Sequence, residues 1–220
     1  MPARWAYEAL ATEQFKNNRF ERNFFRYDME ISQNTWYATF LVNELKKDLR
    51  RCRIYNDSSG FGEIVANKFG KLTRYIRFLS EEAGFDPPPE ELISSLNSKR
   101  FDSAVAGKTE QLLDSLAHRF NSIRKVNSAK KESVTLALAE KMGEDEFLVL
   151  QDDNTNKRLR EIVLDEFTTQ RIIPAREKYI QKFEPAYMKP VSGNGRAHFY
   201  APYNKIGDSQ IETFLFNILV

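Results

Sequence analysis

The stretch Tyr37 to Gly84, YATFLVNELKKDLRRCRIYNDSSGFGEIVANKFGKLTRYIRFLSEEAG, decides the fold. In its first half Tyr37, Leu41, Leu45, Leu49 and Cys52 recur at steps of four and three, which makes one face of a helix from about Met29 to Tyr55 apolar. Asp57-Ser58-Ser59-Gly60 breaks that helix with residues that favour turns. Val65, Phe69, Leu72, Ile76, Leu79 and Ala83 then resume the spacing until Gly84, a residue suited to the left-handed end of a helix. Two long helices joined by so short a turn are expected to lie antiparallel and bury their stripes against each other.

Working outward toward the N-terminus, residues 3–17 place Trp5, Ala6, Leu10 and Phe15 among polar groups. They read as a first short helix, begun by Pro2, whose missing N–H is not needed there. Phe20, Phe24, Phe25 and Tyr27 crowd the following segment and read as core. Beyond the hairpin, Pro87-Pro88-Pro89 stiffens the chain before a helix of about three turns, where Glu90 and Glu91 sit near the positive end of the helix dipole. Asp102 or Ser103 caps the next helix, whose stripe is Val105, Leu112, Leu116, Phe120 and Ile123 and which runs to Met142 and stops at Gly143. Phe147 to Leu150 fits either a short helix or a strand, and the polar turn Asp152 to Asn156 caps a further helix through Leu159, Ile162, Val163 and Phe167.

From Ile172 onward Pro174, Pro185, Pro190, Gly193, Gly195, Pro202 and Gly207 punctuate an aromatic-rich segment. Long helices are excluded there, and extended segments with a small hairpin around Ser192-Gly193-Asn194-Gly195 are expected. The fold class is therefore mainly α: an elongated helical bundle over 1–170, a small irregular or β-containing portion over 171–210, and at 211–220 the apolar start of another helix. That last stretch, Ile211 to Val220, grows more apolar toward its end and carries no Gly, Pro or basic final turn.

The chain has 220 residues, and its 33 Lys and Arg against 31 Asp and Glu leave a net charge of +2. That balance removes the argument for a nucleic-acid binder acting through overall charge. The hydrophobic content of 41% supports a sizeable core, and 29% charged residues argue against a chain mostly buried in lipid. No run of about 18 apolar residues encodes a complete membrane helix. One cysteine, Cys52, excludes an internal disulfide framework and a multi-cysteine zinc site. Its place beside Leu45 and Leu49 makes it a small buried hydrophobe, despite basic neighbours Arg51 and Arg53.

Catalytic patterns do not emerge. Neither GxxxxGK[ST] nor GxGxxG occurs, so there is no glycine-rich backbone to cradle a nucleotide phosphate. Asp152 to Lys157 places oxygens at alternate positions like a calcium loop, but Lys157 and Val163 stand where such a loop needs Gly and a bidentate Glu. His118 and His198 lack metal-ligand spacing, and Ser58, Ser59 and Ser192 lack the GxSxG context of a nucleophile elbow. Lys99, Arg100, Lys108, Arg119, Arg124, Lys125, Lys130 and Lys131 cluster in one third of the chain, but Glu110, Asp114 and Glu132 dilute them, so they read as a solvated face.

Two motifs at opposite ends resemble one family. Pro2-Ala3-Arg4-Trp5-Ala6-Tyr7-Glu8-Ala9-Leu10, followed by Glu13-Gln14-Phe15, is similar to the segment after the fifth membrane helix in the permeases of G-type ATP-binding cassette (ABC) transporters. Gly195 to Pro202, then Ile206-Gly207, then Ile211 to Asn217, resembles the return of that loop into the sixth membrane helix in long bacterial members. The matched residues cover about one fifth of the chain; the middle resembles the family in size and helicity. The resemblance implies the extracytoplasmic loop domain of a permease, on the periplasmic face of the bacterial inner membrane. Such a domain is not itself an enzyme and serves gating, substrate handover or partner docking in ATP-driven export.

The resemblance also implies which partners and groups to expect. The partners are the parent's membrane helices, with a second transporter subunit or a periplasmic protein, and no nucleic acid. ATP and Mg would bind in a nucleotide-binding domain absent from this sequence, so no cofactor is expected here. Arg4, Trp5, Tyr7, Phe214, Phe216 and Leu219 are the expected membrane-interface residues, with both ends of the chain side by side. The alternative is a self-contained helical scaffold or protein-interaction domain, in which Phe214, Phe216 and Leu219 are buried.

Overall fold

The computed structural model describes residues 2–56, 62–190, 194–195 and 197–219, without the side chains of Pro2, Asn194, Gly195 and Leu219. Among these residues the fold is mainly α, with short strands confined to the C-terminal part. Two compact units interleave along the chain: unit 1 holds 1–33, 123–171 and 181–220, and unit 2 holds 34–122 and 172–180. The consecutive division expected above thus differs from how the chain gathers itself.

Unit 2 is built on the helical hairpin. Helices α1 (Pro2–Asn17) and α2 (Phe25–Thr35) precede a π-helical stretch, Trp36–Leu41, which runs on into α3 (Val42–Tyr55). The long helix expected from Met29 to Tyr55 is therefore present but widened in the middle, a feature that apolar spacing does not reveal. α4 (Gly62–Ala83) returns antiparallel, as the pairings of Tyr37 with Glu82 and of Asp48 with Lys68 require. The turn Asp57 to Gly60 lies outside the described residues.

Leu41, Leu45, Leu49 and Cys52 face Leu72, Ile76 and Leu79, all buried. α4 stops as its sequence requires: Gly84 takes a φ of 67°, and the Phe85 N–H donates to the Ser80 carbonyl at 2.9 Å. α5 (Glu90–Ser95) is shorter than expected, because Leu96 leaves the helical region and Asn97 folds its side chain back onto the Lys99 and Arg100 N–H groups.

α6 (Ser103–Met142) is capped by Asp102, whose Oδ1 accepts the Val105 N–H at 2.8 Å. Gly143, with φ 88°, follows its end. The buried stripe within unit 2 is Ala106, Thr109, Leu113, Leu116 and Phe120. It is offset by one residue from the expected stripe at Val105 and Leu112, which are half-buried, because small Ala106 and Thr109 take the seats closest to the neighbouring elements. β1 (Ile172–Pro174) and β2 (Tyr179–Gln181) pair as a two-stranded sheet.

In unit 1, Phe15, Phe25, Val163, Leu164, Ala186 and Tyr187 form one apolar cluster, and Phe20, Phe24 and Phe147 form another beside Leu138 and Met142 of α6. The expected aromatic core from Phe20 to Phe25 is present. Phe147 to Leu150 resolves as helix within α7 (Glu144–Asn154), and Asn156 caps α8 (Lys157–Val163) by accepting the Leu159 N–H at 3.0 Å. α8 ends before Phe167, which stands exposed.

The C-terminal portion holds β3 (Asn194–Gly195), β4 (Tyr203–Ile206) and β5 (Ser209–Glu212) in an antiparallel sheet of order β3-β4-β5, followed by α9 (Thr213–Leu219). Its described hairpin turns at Gly207, φ 58°, where Ile206 pairs with Ser209. Residues 191–193, where the hairpin was expected, lie outside the described residues.

Candidate functional site

The N-terminal and C-terminal helices of unit 1 form an antiparallel pair. Lys16, near the end of α1, makes an ion pair with Glu212, the last residue of β5 just before α9, while Asn217 near the end of α9 reaches the Trp5 carbonyl at 3.3 Å. The two described chain ends therefore lie side by side.

A buried carboxylate holds this arrangement. Glu8 accepts the Asn217 side-chain amide at 3.0 Å through Oε2 and the Tyr200 backbone N–H at 3.2 Å through Oε1. Tyr200 sits at φ 69°, a left-handed conformation unfavourable for a residue with a Cβ, and its bond to Glu8 helps hold it there. Thr213, also buried, ties the start of α9 to the sheet: its hydroxyl donates to the Ala201 carbonyl at 2.6 Å and accepts the Asn204 amide at 2.9 Å.

Around the start of α1 an aromatic collar forms. The Arg4 guanidinium lies 5.3 Å from the Trp5 ring centroid and 4.9 Å from that of Phe199. Tyr7 meets Tyr200 edge-on at 6.5 Å, and burial, with Tyr7 beside it, pushes the Tyr200 hydroxyl up to about 12. A cation between aromatic faces with polar tips is the composition found at lipid headgroups.

The structure redistributes the expected interface residues. Arg4 and Tyr7 are exposed, Trp5 and Phe214 are half-buried, and Phe216 is buried; the side chain of Leu219 lies outside the described residues. The expected exposure of Phe216 is corrected, because helical spacing puts it with Thr213 on the face toward α1 and the sheet. The apolar side chains turned outward are Tyr7 at 48%, Leu10 at 63%, Leu215 at 49% and Ile218 at 62% exposure. Leu215 and Ile218, three apart on α9, share one face. Exposure at the C-terminal end was expected from Phe214 onward, which holds for Leu215 and Ile218; sequence reasoning missed Leu10 as part of that surface and Glu8 as the clamp, although an acidic residue among apolar neighbours was its visible signal.

Unit 2 carries a separate buried polar cluster. Asp48 of α3 is almost wholly buried and accepts from Lys68, from the Tyr179 hydroxyl and, at 3.2 Å, from Lys71. Burial alone would raise its pKa, but the bonds from Lys68 and Tyr179 and the charges of the two lysines outweigh it and hold the carboxyl below its usual range. Tyr179 is pinned in turn by Tyr75, whose hydroxyl accepts the Tyr179 N–H at 2.7 Å. Cys52 lies one helical turn from Asp48, and burial pushes its thiol up to about 12, in keeping with the inert buried residue expected from its stripe.

The two histidines sit apart in role. His118 lines an open cavity with Phe85 and Arg119, whereas His198 places Nε2 2.8 Å from the Pro185 carbonyl in unit 1, where burial lowers its pKa. Of the basic residues on α6, Arg119 donates to the Ala83 carbonyl at 3.1 Å and Lys131 pairs with Asp28. No cluster of His, Cys, Asp and Glu suited to a metal ion occurs among the described residues, nor does a helix long and apolar enough to cross a membrane. Compared with known proteins, the chain matches no family model, no curated protein and no solved structure.

Proposed function

We propose that this chain is a non-catalytic extracytoplasmic domain of an ABC transporter permease, in which α1 and α9 form a stem that meets the bilayer surface. The observation that supports this most is the antiparallel α1/α9 pair, which brings both described ends together beside exposed Tyr7, Leu10, Leu215 and Ile218. A loop between two neighbouring membrane helices needs that geometry. Arg4, Trp5 and Phe199 then sit where the aromatic and basic side chains of an interface belong. In this reading the domain acts by gating, substrate handover or docking of a second subunit or periplasmic protein, and ATP with Mg acts elsewhere in the parent polypeptide.

The test is the reading frame that encodes the chain. Apolar stretches of about 20 residues next to both ends are the expected result. Polar sequence on both sides would overturn the reading.

One observation favours a second reading, a self-contained helical scaffold for protein interaction. Phe216 is buried and Asn217 is bonded to Glu8, so α9 contributes to the packing of unit 1. Flotation of the intact chain with anionic vesicles distinguishes the two: a stem binds them and loses that binding in the Leu215→Ser, Ile218→Ser double variant at unchanged circular dichroism, whereas a scaffold does not bind them.

A further inference from the structure

We infer that unit 2 binds a phosphate-type oxyanion beside the Asp48 cluster, independently of the bilayer reading. The Asp48 cluster is unbalanced in charge. Lys71 is buried and Lys68 nearly so, and among the described residues they share one carboxylate, Asp48. Arg51 adds a third cation at 3.8 Å from the same Asp48 oxygen that Lys68 uses. Tyr179 contributes a neutral hydroxyl to Asp48, and Glu44, the next carboxylate acting on Tyr179, is paired with Lys47, so the cluster carries more positive than negative charge. Taking an ammonium out of water costs several kcal/mol unless an opposite charge or well-placed hydrogen bonds compensate it.

The lysines are also short of acceptors. Each ammonium has three protons to donate. Beyond Asp48, Lys71 reaches the Ala175 carbonyl at a marginal 3.5 Å and lies 4.6 Å from the Tyr179 ring centroid. Asp48 already accepts from Lys68, Lys71 and the Tyr179 hydroxyl, which leaves about one lone-pair site for the remaining protons.

An opening stands where a compensating anion would enter. A cavity of about 430 Å³ is lined by Ile64, Asn67, Lys68 and Lys71 of α4 and by Ala175 and Arg176 beyond β1. The α4 positions fall at i, i+3, i+4 and i+7, so one helix face lines this space with two lysines, whose ammoniums also meet Asp48, and an amide residue. Arg176 adds a guanidinium, and Glu63, the one carboxylate on the lining, is already paired with it. Lysines, an amide and a guanidinium converging on one space suit the several oxygens of a phosphate, with lysine acting as a point charge.

The same chemistry can come from free phosphate or from a phosphomonoester headgroup, and two arms separate them. The full chain is titrated calorimetrically with inorganic phosphate at constant ionic strength, and separately mixed with vesicles containing phosphatidic acid. Saturable one-to-one binding of phosphate identifies a free-anion site; binding to the vesicles alone identifies a headgroup site. In either arm Asn67→Asp, which adds a carboxylate to a half-buried lining position, should weaken binding by about tenfold or more. Arg176→Ala, at an exposed position, should weaken it with an unchanged circular dichroism spectrum. Gly70→Leu, in a different and larger groove of about 700 Å³, should leave it unaltered. Absence of binding in both arms, or binding indifferent to Asn67→Asp and Arg176→Ala, overturns the inference.

Discussion

Two antiparallel helix pairs carry this molecule, and they solve opposite problems. The α3/α4 pair of unit 2, with Leu41 just before it, seals its central seam: Leu41, Leu45, Cys52, Leu72, Ile76 and Leu79 have no exposed surface, and the exposed apolar side chains Ile54, Tyr55 and Ile64 lie at the end of the pair beside the turn. The α1/α9 pair of unit 1 buries Phe15, Ala9 and Phe216 but leaves Leu10, Leu215 and Ile218 outside. Each pair is threaded by one buried carboxylate, and the partners differ. Asp48 gathers lysines and a tyrosine hydroxyl, while Glu8 gathers an amide side chain and a backbone N–H. Cationic donors surround the carboxylate in the α3/α4 seam, whereas uncharged donors meet Glu8 beneath an exposed apolar face.

The comparison can be broken most sharply at Cys52. With its thiol pushed up to about 12 and no exposed surface, it should react with maleimide at pH 8 more slowly than an unfolded-chain cysteine by about 10³-fold or more. Labelling at the free-thiol rate under native conditions would show that the α3/α4 seam opens. Next in size, Asp48→Asn leaves two buried lysines without their carboxylate and should cost about 3–5 kcal/mol in urea unfolding. A loss below about 1 kcal/mol would mean that the cluster is wet and weakly coupled.

Because the folded pKa of Asp48 lies below its unfolded value of about 3.9, its contribution is complete above that pH. It is lost as the pH falls through the folded value. The stability difference between wild type and Asp48→Asn should therefore be constant near neutrality and shrink in acid below about pH 4. A difference that persists unchanged to pH 2 would place the effect in packing.

For the other pair, Glu8→Ala removes the acceptor shared by Tyr200 and Asn217 and should cost about 1.5–3 kcal/mol. Amide exchange should rise in α9 first, and uniform loss of protection across unit 1 would refute a local clamp. The smallest change in stability is expected from Leu215→Ser combined with Ile218→Ser, within about 0.5 kcal/mol per site. The same double variant should lose most of its binding to anionic vesicles in flotation. Unchanged flotation, or a large fall in stability, would remove the α1/α9 face as a bilayer-facing surface.

Legibility in the sequence followed the range of the interaction. Features set by neighbours within a turn or two were readable: the α3 and α4 stripes, the stops at Gly84 and Gly143, and the caps at Asp102 and Asn156. The π-helical stretch at Trp36–Leu41 was not, because its residues keep a helical pattern while the hydrogen-bond register slips. The α6 stripe was legible at Leu116 and Phe120 but one position off at Val105 and Leu112, since which of several adjacent apolar and small residues faces inward depends on what packs against them. The exposed face of the α1/α9 pair was half legible. Arg4, Trp5 and Tyr7 stand in a recognisable motif, but whether Phe214 and Phe216 or Leu215 and Ile218 face outward depends on the rotation of α9.

By itself, then, the order of residues determined the helical class, the hairpin of α3 and α4 and most helix ends, because these depend on backbone preferences and on apolar spacing along a single helix. Tertiary structure alone decided the two interleaved units, the meeting of Glu8 with Asn217 and the gathering of Lys68, Lys71 and Tyr179 around Asp48. Those partners lie far apart along the chain, and a polar side chain selects one only after the surrounding apolar packing has excluded the water that would otherwise satisfy it.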